Sequence, residues 1–169
     1  MKHAWILAIL TASVFAQVPT VPAAVKQAIA ASVKASNSAN ATDTQGGYHE
    51  EGGIWGLTTT GTLVVIPAKA GPTNIKCGEG ASIIVGDAVD PSLDADLATV
   101  LGEWHVHPSG KRDGCIFVQP PSSQDISNVL GNPCNIVIGA DNNTVYFYDA
   151  KGVIGKTKLK EFLKSIPHA

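Results

Sequence analysis

This chain contains few charged residues and few cysteines. Charged side chains make up 15% of its 169 residues, and 12 Lys and Arg against 14 Asp and Glu leave a formal net charge of -2. A domain that binds nucleic acid usually carries a basic patch or stripe, so the composition predicts no nucleic-acid partner. The three cysteines form no Cys-x-x-Cys pair, which argues against a zinc site built from cysteine ligands.

The chain also lacks a long apolar run, since its most apolar stretch extends only from Ala4 to Ala16. A membrane-spanning helix needs about 20 apolar residues. The basic Lys2, the short apolar core and the small residue Ala16 are typical of a signal peptide. We therefore expect a signal peptide over residues 1–16, a mature protein that begins near Gln17 without a stable membrane span, and a secreted or periplasmic location. The alternative is an uncleaved anchor or a buried helix.

Export would change the interpretation of Cys77, Cys115 and Cys134. In an oxidising compartment one pair can form a disulfide and one cysteine is left over. Three pairings are open, and the sequence does not choose among them. A bridge between Cys115 and Cys134 would close the long loop that precedes the last third of the chain.

The order of elements predicts an α/β fold with a central mixed sheet flanked by helices. Residues 17–47 contain a helix over residues 21–36 and a polar linker, and residues 48–169 form the main domain. Strands are predicted over residues 53–59, 62–67, 81–89, 99–106, 135–139 and 144–148, and helices over residues 122–130 and 156–166. Strands in the middle with helices before, between and after them are typical of a layered α/β domain.

The stretch that contains His105 and His107 is the strongest chemical signal. On a strand, residues two apart point to the same face, so both imidazoles can reach one ion while Trp104 and Val106 face the core. Asp125 would complete three protein ligands and leave a fourth position for water, as in catalytic zinc sites. Two other interpretations remain: the histidines form a surface pair, and Asp125 only stabilises the first turn of a helix.

Three short motifs occur in order: His49-Glu50-Glu51-Gly52-Gly53, His105-Val106-His107-Pro108 and Ser122-Ser123-Gln124-Asp125. Together they resemble the JAB/MPN family, also called JAMM metalloproteases, whose signature is an upstream Glu, His-x-His-Pro and Ser-x-x-Asp. The resemblance covers residues 45–150 and implies that the helices and the sheet are layered as in cytidine deaminases. Residues 108–121 form a longer connection than the family usually has.

The resemblance also implies a role for each motif residue. His105, His107 and Asp125 would bind Zn²⁺, Glu50 would be the general base and acid, and the Ser122 hydroxyl would help to hold an oxyanion. The Glu-x-x-Gly spacing favours Glu50 over its neighbour Glu51. The residues themselves leave open whether His49 is a further ligand or exposed, and whether Glu103 lies beside the ligands or at the surface.

The expected function is a secreted zinc-dependent metallohydrolase that cleaves a peptide or isopeptide bond in a peptide or protein substrate by metal-activated water. One alternative is a non-catalytic metal-binding or protein-interaction module of the same fold. Another is an exported effector or toxin domain. The pattern predicts no organic cofactor.

Overall fold

The computed structural model describes residues 19–37, 48–72, 80–109, 116–129 and 131–164. It contains a six-stranded sheet in the order β2-β1-β3-β4-β5-β6, flanked by helices. The elements, in chain order, are α1 Ala23–Ser36, β1 Gly52–Thr58, β2 Leu63–Pro67, α2 Pro91–Ala95, β3 Leu97–His107, α3 Ser123–Ser127, β4 Asn135–Gly139, β5 Thr144–Asp149, β6 Gly152–Lys158 and α4 Leu159–Leu163. The prediction of an α/β fold with a central mixed sheet is therefore confirmed.

The sheet is mixed because β3 and β4 pair in parallel while the other neighbouring strands pair antiparallel. A parallel pair needs a crossover connection, whereas an antiparallel pair can be joined by a tight turn. Here the chain between His107 and Asn135 supplies the crossover and carries α3. This connection places α3 beside the end of β3, where the histidines lie.

Strand β3 divides its side chains between the two faces of the sheet. Trp104 and Val106 are fully buried on the face that α1 and α4 cover, as the sequence predicted. The Trp104 indole Nε1 donates a hydrogen bond to Ser32 Oγ at 3.1 Å, which connects β3 to α1. Residues Glu103, His105 and His107 alternate with them and lie on the opposite face. One face is therefore the hydrophobic core, and the other is free to carry polar groups.

The main core is made of apolar side chains from helices α1 and α4 and from the central strands. It contains Val21, Val25, Ile29, Trp55, Trp104, Val106, Cys134, Ile136, Ile138, Val145, Phe147, Leu159 and Phe162. Burying apolar area of this kind supplies the dominant favourable free energy of folding. This core covers one face of the sheet. A smaller apolar cluster of Ile54, Ile66 and Ala88 packs on the other face beside β1 and β2, because Ile54 alternates with Trp55 along β1.

The predicted strand over residues 81–89 is wrong. Only Ala88 forms a bridge, an isolated one with Ala68 just beyond β2, and Gly86 lies in a turn. The apolar Ile84 is strongly exposed, so the β-branched residues of this segment do not mark a buried strand.

The predicted start of the last helix is also wrong, and a sixth strand was missed. Lys156 and Lys158 pair with Tyr146 and Thr144 of β5, so these two lysines do not share a helix face with Lys160 and Lys164. The strand was hidden because Gly152–Lys158 is exposed along much of its length and contains little apolar sequence. The helix begins at Leu159.

Several predictions fall outside the part of the chain that the structure describes: the signal peptide over residues 1–16, most of the linker, and Cys77 and Cys115. Cys134 is a buried free thiol, and burial raises the pKa of the Cys134 thiol to about 12. Within the described residues, no helix combines the length and the apolar character that a membrane crossing requires.

Gly52 allows the close approach of β1 to β3. A Cβ atom built at Gly52 would overlap the Trp104 carbonyl oxygen and meet the His105 backbone, whereas one at Gly86 would meet no atom within 4 Å. We expect Gly52→Ala to lower the free energy of unfolding by about 1–3 kcal/mol, because overpacking displaces backbone. Gly86→Ala is the control and should change it by less than about 0.5 kcal/mol. Urea unfolding measures both, and equal stability of the two variants would contradict the β1–β3 contact.

Candidate metal centre

The structure brings His105, His107 and Asp125 together on the polar face of the sheet. The two Nε2 atoms of the histidines lie 3.2 Å apart. Asp125 Oδ1 lies 3.3 Å from His105 Nε2, and Asp125 Oδ2 lies 3.4 Å from His107 Nε2. Both histidines are buried and Asp125 is partly buried. These three side chains form a group that could hold a metal ion.

The 3.2 Å between the two Nε2 atoms is close to the spacing of ligand atoms around a tetrahedral ion, and each Nε2 atom has a different carboxylate oxygen of Asp125 at a similar distance. With metal–nitrogen and metal–oxygen bonds near 2.0–2.2 Å, ligand atoms at tetrahedral angles are separated by about 3.3 Å. Metal-ligating imidazoles commonly donate their second N–H to a carbonyl or carboxylate. His107 Nδ1 is buried and has no such acceptor among the described residues. The orientation of His107 therefore depends on β3 and on the contacts of its Nε2 atom.

Asp125 is held in place by the start of α3. The Ser122 backbone N–H donates to Asp125 Oδ2 at 2.6 Å, and the Asp125 backbone N–H donates to Ser122 Oγ at 3.2 Å. This is a reciprocal capping box. Ser122 is the N-cap of α3. Asp125 therefore stabilises the start of the helix and also lies beside both histidines. Burial favours a protonated Asp125, but hydrogen bonds with His105 and His107 lower the pKa of this carboxyl far below its usual range.

The charges around His105 favour its protonated form when no ion is bound. Burial alone lowers the pKa of His105, but the hydrogen bond to Asp125 and the charge of Glu50 raise it above its ordinary value. A metal ion and a proton compete for the same imidazole nitrogen, so metal binding would release this proton.

Glu50 is the glutamate of the upstream motif that reaches the metal-binding group. Its Oε1 atom lies 3.8 Å from His107 Nε2, and the side chain is buried. Burial raises the pKa of Glu50, while the nearby histidines oppose the shift. Glu51 instead contacts His49, with 2.8 Å between Glu51 Oε1 and His49 Nε2. His49 is buried beside α1, so it is neither exposed nor part of the group.

Glu103 lies on the same face of β3 and is buried rather than at the surface. Its Oε2 atom accepts a hydrogen bond from Asn132 Nδ2 at 2.9 Å, and its Oε1 atom accepts one from the Tyr148 hydroxyl at 3.3 Å. Burial raises the pKa of Glu103. Burial and the charge of Glu103 also raise the pKa of Tyr148, so its hydroxyl keeps the proton that it donates.

A cleft opens over these polar side chains and has an apolar rim. Its lining includes Glu50, Glu103, both histidines, Ser122 and Asp125, with Tyr148. Ile84, Ile116 and Val118 also line it, and they are 74%, 91% and 62% exposed. Contiguous exposed apolar side chains commonly mark a binding surface. The cleft thus combines a polar floor with apolar edges.

Sequence reasoning missed Tyr148 and Asn132, and it predicted a strand over residues 81–89, which include Ile84 of the rim. The alternation within β5 carried a usable signal for Tyr148, since Val145 and Phe147 are core residues and Tyr148 must face the other side. Asn132 gave no comparable signal because it lies in a loop. Lys111, Arg112 and Asp113, which belong to the long connection over residues 108–121, lie outside the described residues.

Comparisons of this chain with protein-family models, with curated proteins and with solved structures found no match.

We expect the purified protein to bind one divalent metal ion per chain at His105, His107 and Asp125. Because each residue supplies one ligand atom, His107→Ala or Asp125→Ala should remove stoichiometric metal, as measured by elemental analysis after dialysis. Asp94→Asn on the exposed helix α2 is the control and should keep full occupancy. Full occupancy in a His105→Ala/His107→Ala double variant would exclude this site.

Proposed function

We propose that this protein is a zinc-dependent metallohydrolase of the JAB/MPN type that cleaves a peptide or isopeptide amide. The observation that carries the proposal is the convergence of three ligand atoms within 4.8 Å of one another, with the buried Glu50 carboxylate beside them. Two imidazoles and one carboxylate are a common ligand set of hydrolytic zinc, and they suit its intermediate softness. The ion would lower the pKa of a bound water and polarise the substrate carbonyl.

Glu50 is proposed to move the proton. A carboxylate near the water can take its proton and later deliver that proton to the leaving amine. Burial raises the pKa of Glu50. This brings the pKa closer to neutral pH, where the carboxyl can both accept a proton from the water and donate it to the leaving amine. Glu50 Oε1 lies 3.8 Å from His107 Nε2. Glu50 is therefore next to the three candidate ligands, but it does not belong to the group that they form.

Ser122 is proposed to donate a hydrogen bond to the developing oxyanion. Its Oγ atom already accepts a bond from the Asp125 N–H, which uses one lone pair and leaves the hydroxyl hydrogen available. The side chain lines the cleft. Because the capping box fixes Ser122 and Asp125 together, a donor and a ligand are positioned by one helix turn.

The cleft supports a peptide or protein substrate rather than a nucleic acid. Its rim is apolar, and Lys69, a cation in its lining, is already paired with Asp87 at 2.8 Å. Extended chains present alternate side chains that apolar edges of this kind can hold.

We also propose that the protein is exported, on the evidence of residues 1–16 alone. A basic start and a short apolar core before a small residue are recognised and removed during secretion. N-terminal sequencing of protein from an exported fraction should show that the mature chain begins at or near Gln17. An intact Met1 in that fraction would contradict cleavage and support an anchor.

Glu50→Gln should reduce turnover about 100-fold or more, the scale of a positioned general base, while zinc content stays near one per chain. Glu51→Gln is the matched control, since this carboxylate contacts His49 instead, and it should keep most of the activity. The assay is cleavage of a peptide library by zinc-loaded protein, with a chelator to establish metal dependence. If no amide is cleaved, or if Glu50→Gln cleaves as fast as the unchanged protein, the hydrolase proposal fails and the binding module remains.

A further inference from the structure

Glu103 is a buried carboxylate in the cleft that the proposed reaction does not use. It precedes His105 by two residues on β3, so it shares the face of the ligands and lies about 7 Å along the strand from His105. It is not part of the group of ligand atoms that lie within 4.8 Å of one another. Its side chain is 6% exposed and lines the cleft together with Tyr148.

The partners of Glu103 are neutral donors. Asn132 Nδ2 bonds to one carboxylate oxygen and the Tyr148 hydroxyl to the other. Among the described residues, no Lys or Arg forms an ion pair with Glu103. An anion in a low-dielectric position is costly unless a cation compensates it. The charge of His105 acts on Glu103 through space, but within the described residues no cationic side chain is hydrogen-bonded to this carboxylate. Such a carboxylate at the floor of an open cleft is well suited to a cation that arrives with a ligand.

Asn135 gives an independent observation at the same level of the sheet. It is the register partner of Glu103 on β4, and its side chain is buried. Its Nδ2 atom donates to the Tyr148 carbonyl oxygen at 3.1 Å, but its Oδ1 atom is buried without a donor among the described residues. The row of Glu103, Asn135 and Tyr148 across β3, β4 and β5 therefore contains one acceptor without a donor, and Glu103 and Tyr148 of this row line the cleft.

We propose that Glu103, with Tyr148 and Asn132, forms a subsite that binds a primary ammonium group of the substrate. The inference rests on the proposed function and specifies its substrate class: amides with a lysine-like amine close to the bond that is cleaved. An ammonium supplies three hydrogen-bond donors and no acceptor, and a donor is what this row lacks. Glu103 is a specificity residue in this arrangement, and Asn132 and Tyr148 are positioning residues.

The geometry favours an ammonium over a guanidinium or a second metal ion. A guanidinium binds a carboxylate best through two parallel hydrogen bonds, but Asn132 and Tyr148 already bond to the two oxygens of Glu103. A hard cation such as Ca²⁺ or Mg²⁺ requires several oxygen ligands, whereas this subsite offers one carboxylate. A compact ammonium on a flexible stem can use the remaining lone pairs.

The test compares two probes that differ only in the terminal ammonium group: N-acetyl-lysine methylamide, which carries it, and N-acetyl-norleucine methylamide, which lacks it. Each is titrated into the zinc-loaded protein and followed by NMR. We expect the lysine probe to bind about 10- to 100-fold more tightly, the size of a hydrogen bond to a charged group. It alone should shift the backbone resonances of Tyr148 and Asn132. Equal or undetectable binding of the two probes, or no shift at these residues, would overturn the subsite.

Glu103→Gln should remove the preference for the lysine probe while zinc content is retained. Glu161→Gln, at an exposed glutamate that pairs with Lys164, is the control and should keep the preference. If Glu103 had a purely structural role, Glu103→Gln would weaken the binding of both probes equally, which would refute the subsite. A retained preference for the lysine probe in a folded Glu103→Gln protein would also refute it. If that variant does not fold, the titration of the unchanged protein still decides. Because probe binding needs no turnover, failure of the hydrolase and failure of the subsite are separate results.

Discussion

The two-residue side-chain period of β3 is the constraint on which the rest of the structure depends. It places Trp104 and Val106 in the core and His105 and His107 in the cleft. A slip of one residue would exchange the two sets. It would bury both imidazoles among apolar side chains and expose the indole. The hydrogen bond from Trp104 to Ser32 and the parallel pairing of β3 with β4 fix the register of β3. The core that stabilises the fold therefore also orients His105 and His107 towards the cleft.

Helix α3 shows how a short element can be stabilised and also carry a candidate ligand. A five-residue helix gains little from its own hydrogen bonds, because nucleation is costly. The capping box between Ser122 and Asp125 satisfies N–H groups at its start, and the same carboxylate meets both histidines. Cap and ligand position are therefore coupled, and loss of one would disturb the other. The crossover between β3 and β4 is what delivers this turn to the sheet.

The sequence predicted the elements that have strong local signals and missed those that depend on distant contacts. Strands β1, β2 and β3 and a helix that begins near Ser122 were all predicted, because the composition and alternation signals behind them act over a few positions. Strand β6 was missed because its pairing with β5, rather than its own apolar pattern, makes it a strand. Residues 81–89 have strand-like composition, but tertiary context places Ile84 on an exposed rim. The Glu103–Tyr148 bond joins residues 45 positions apart, which no local pattern encodes.

Of the carboxylates that line the cleft, Glu50, Glu103 and Asp125 lie around the histidines, and their different environments separate their chemistry. Asp125 has histidine and N–H donors, which lower the pKa of its carboxyl and keep it anionic for an ion. Glu50 and Glu103 are dominated by burial, which raises the pKa of each. Carboxylates in unlike surroundings can thus serve unlike roles in one site. A cation at the ligands would offset part of the shared negative charge, because Coulomb interactions are stronger where water is excluded. Lys69, which lines the cleft, is paired with Asp87. The charge that offsets these carboxylates would therefore come from the histidines or from a bound cation.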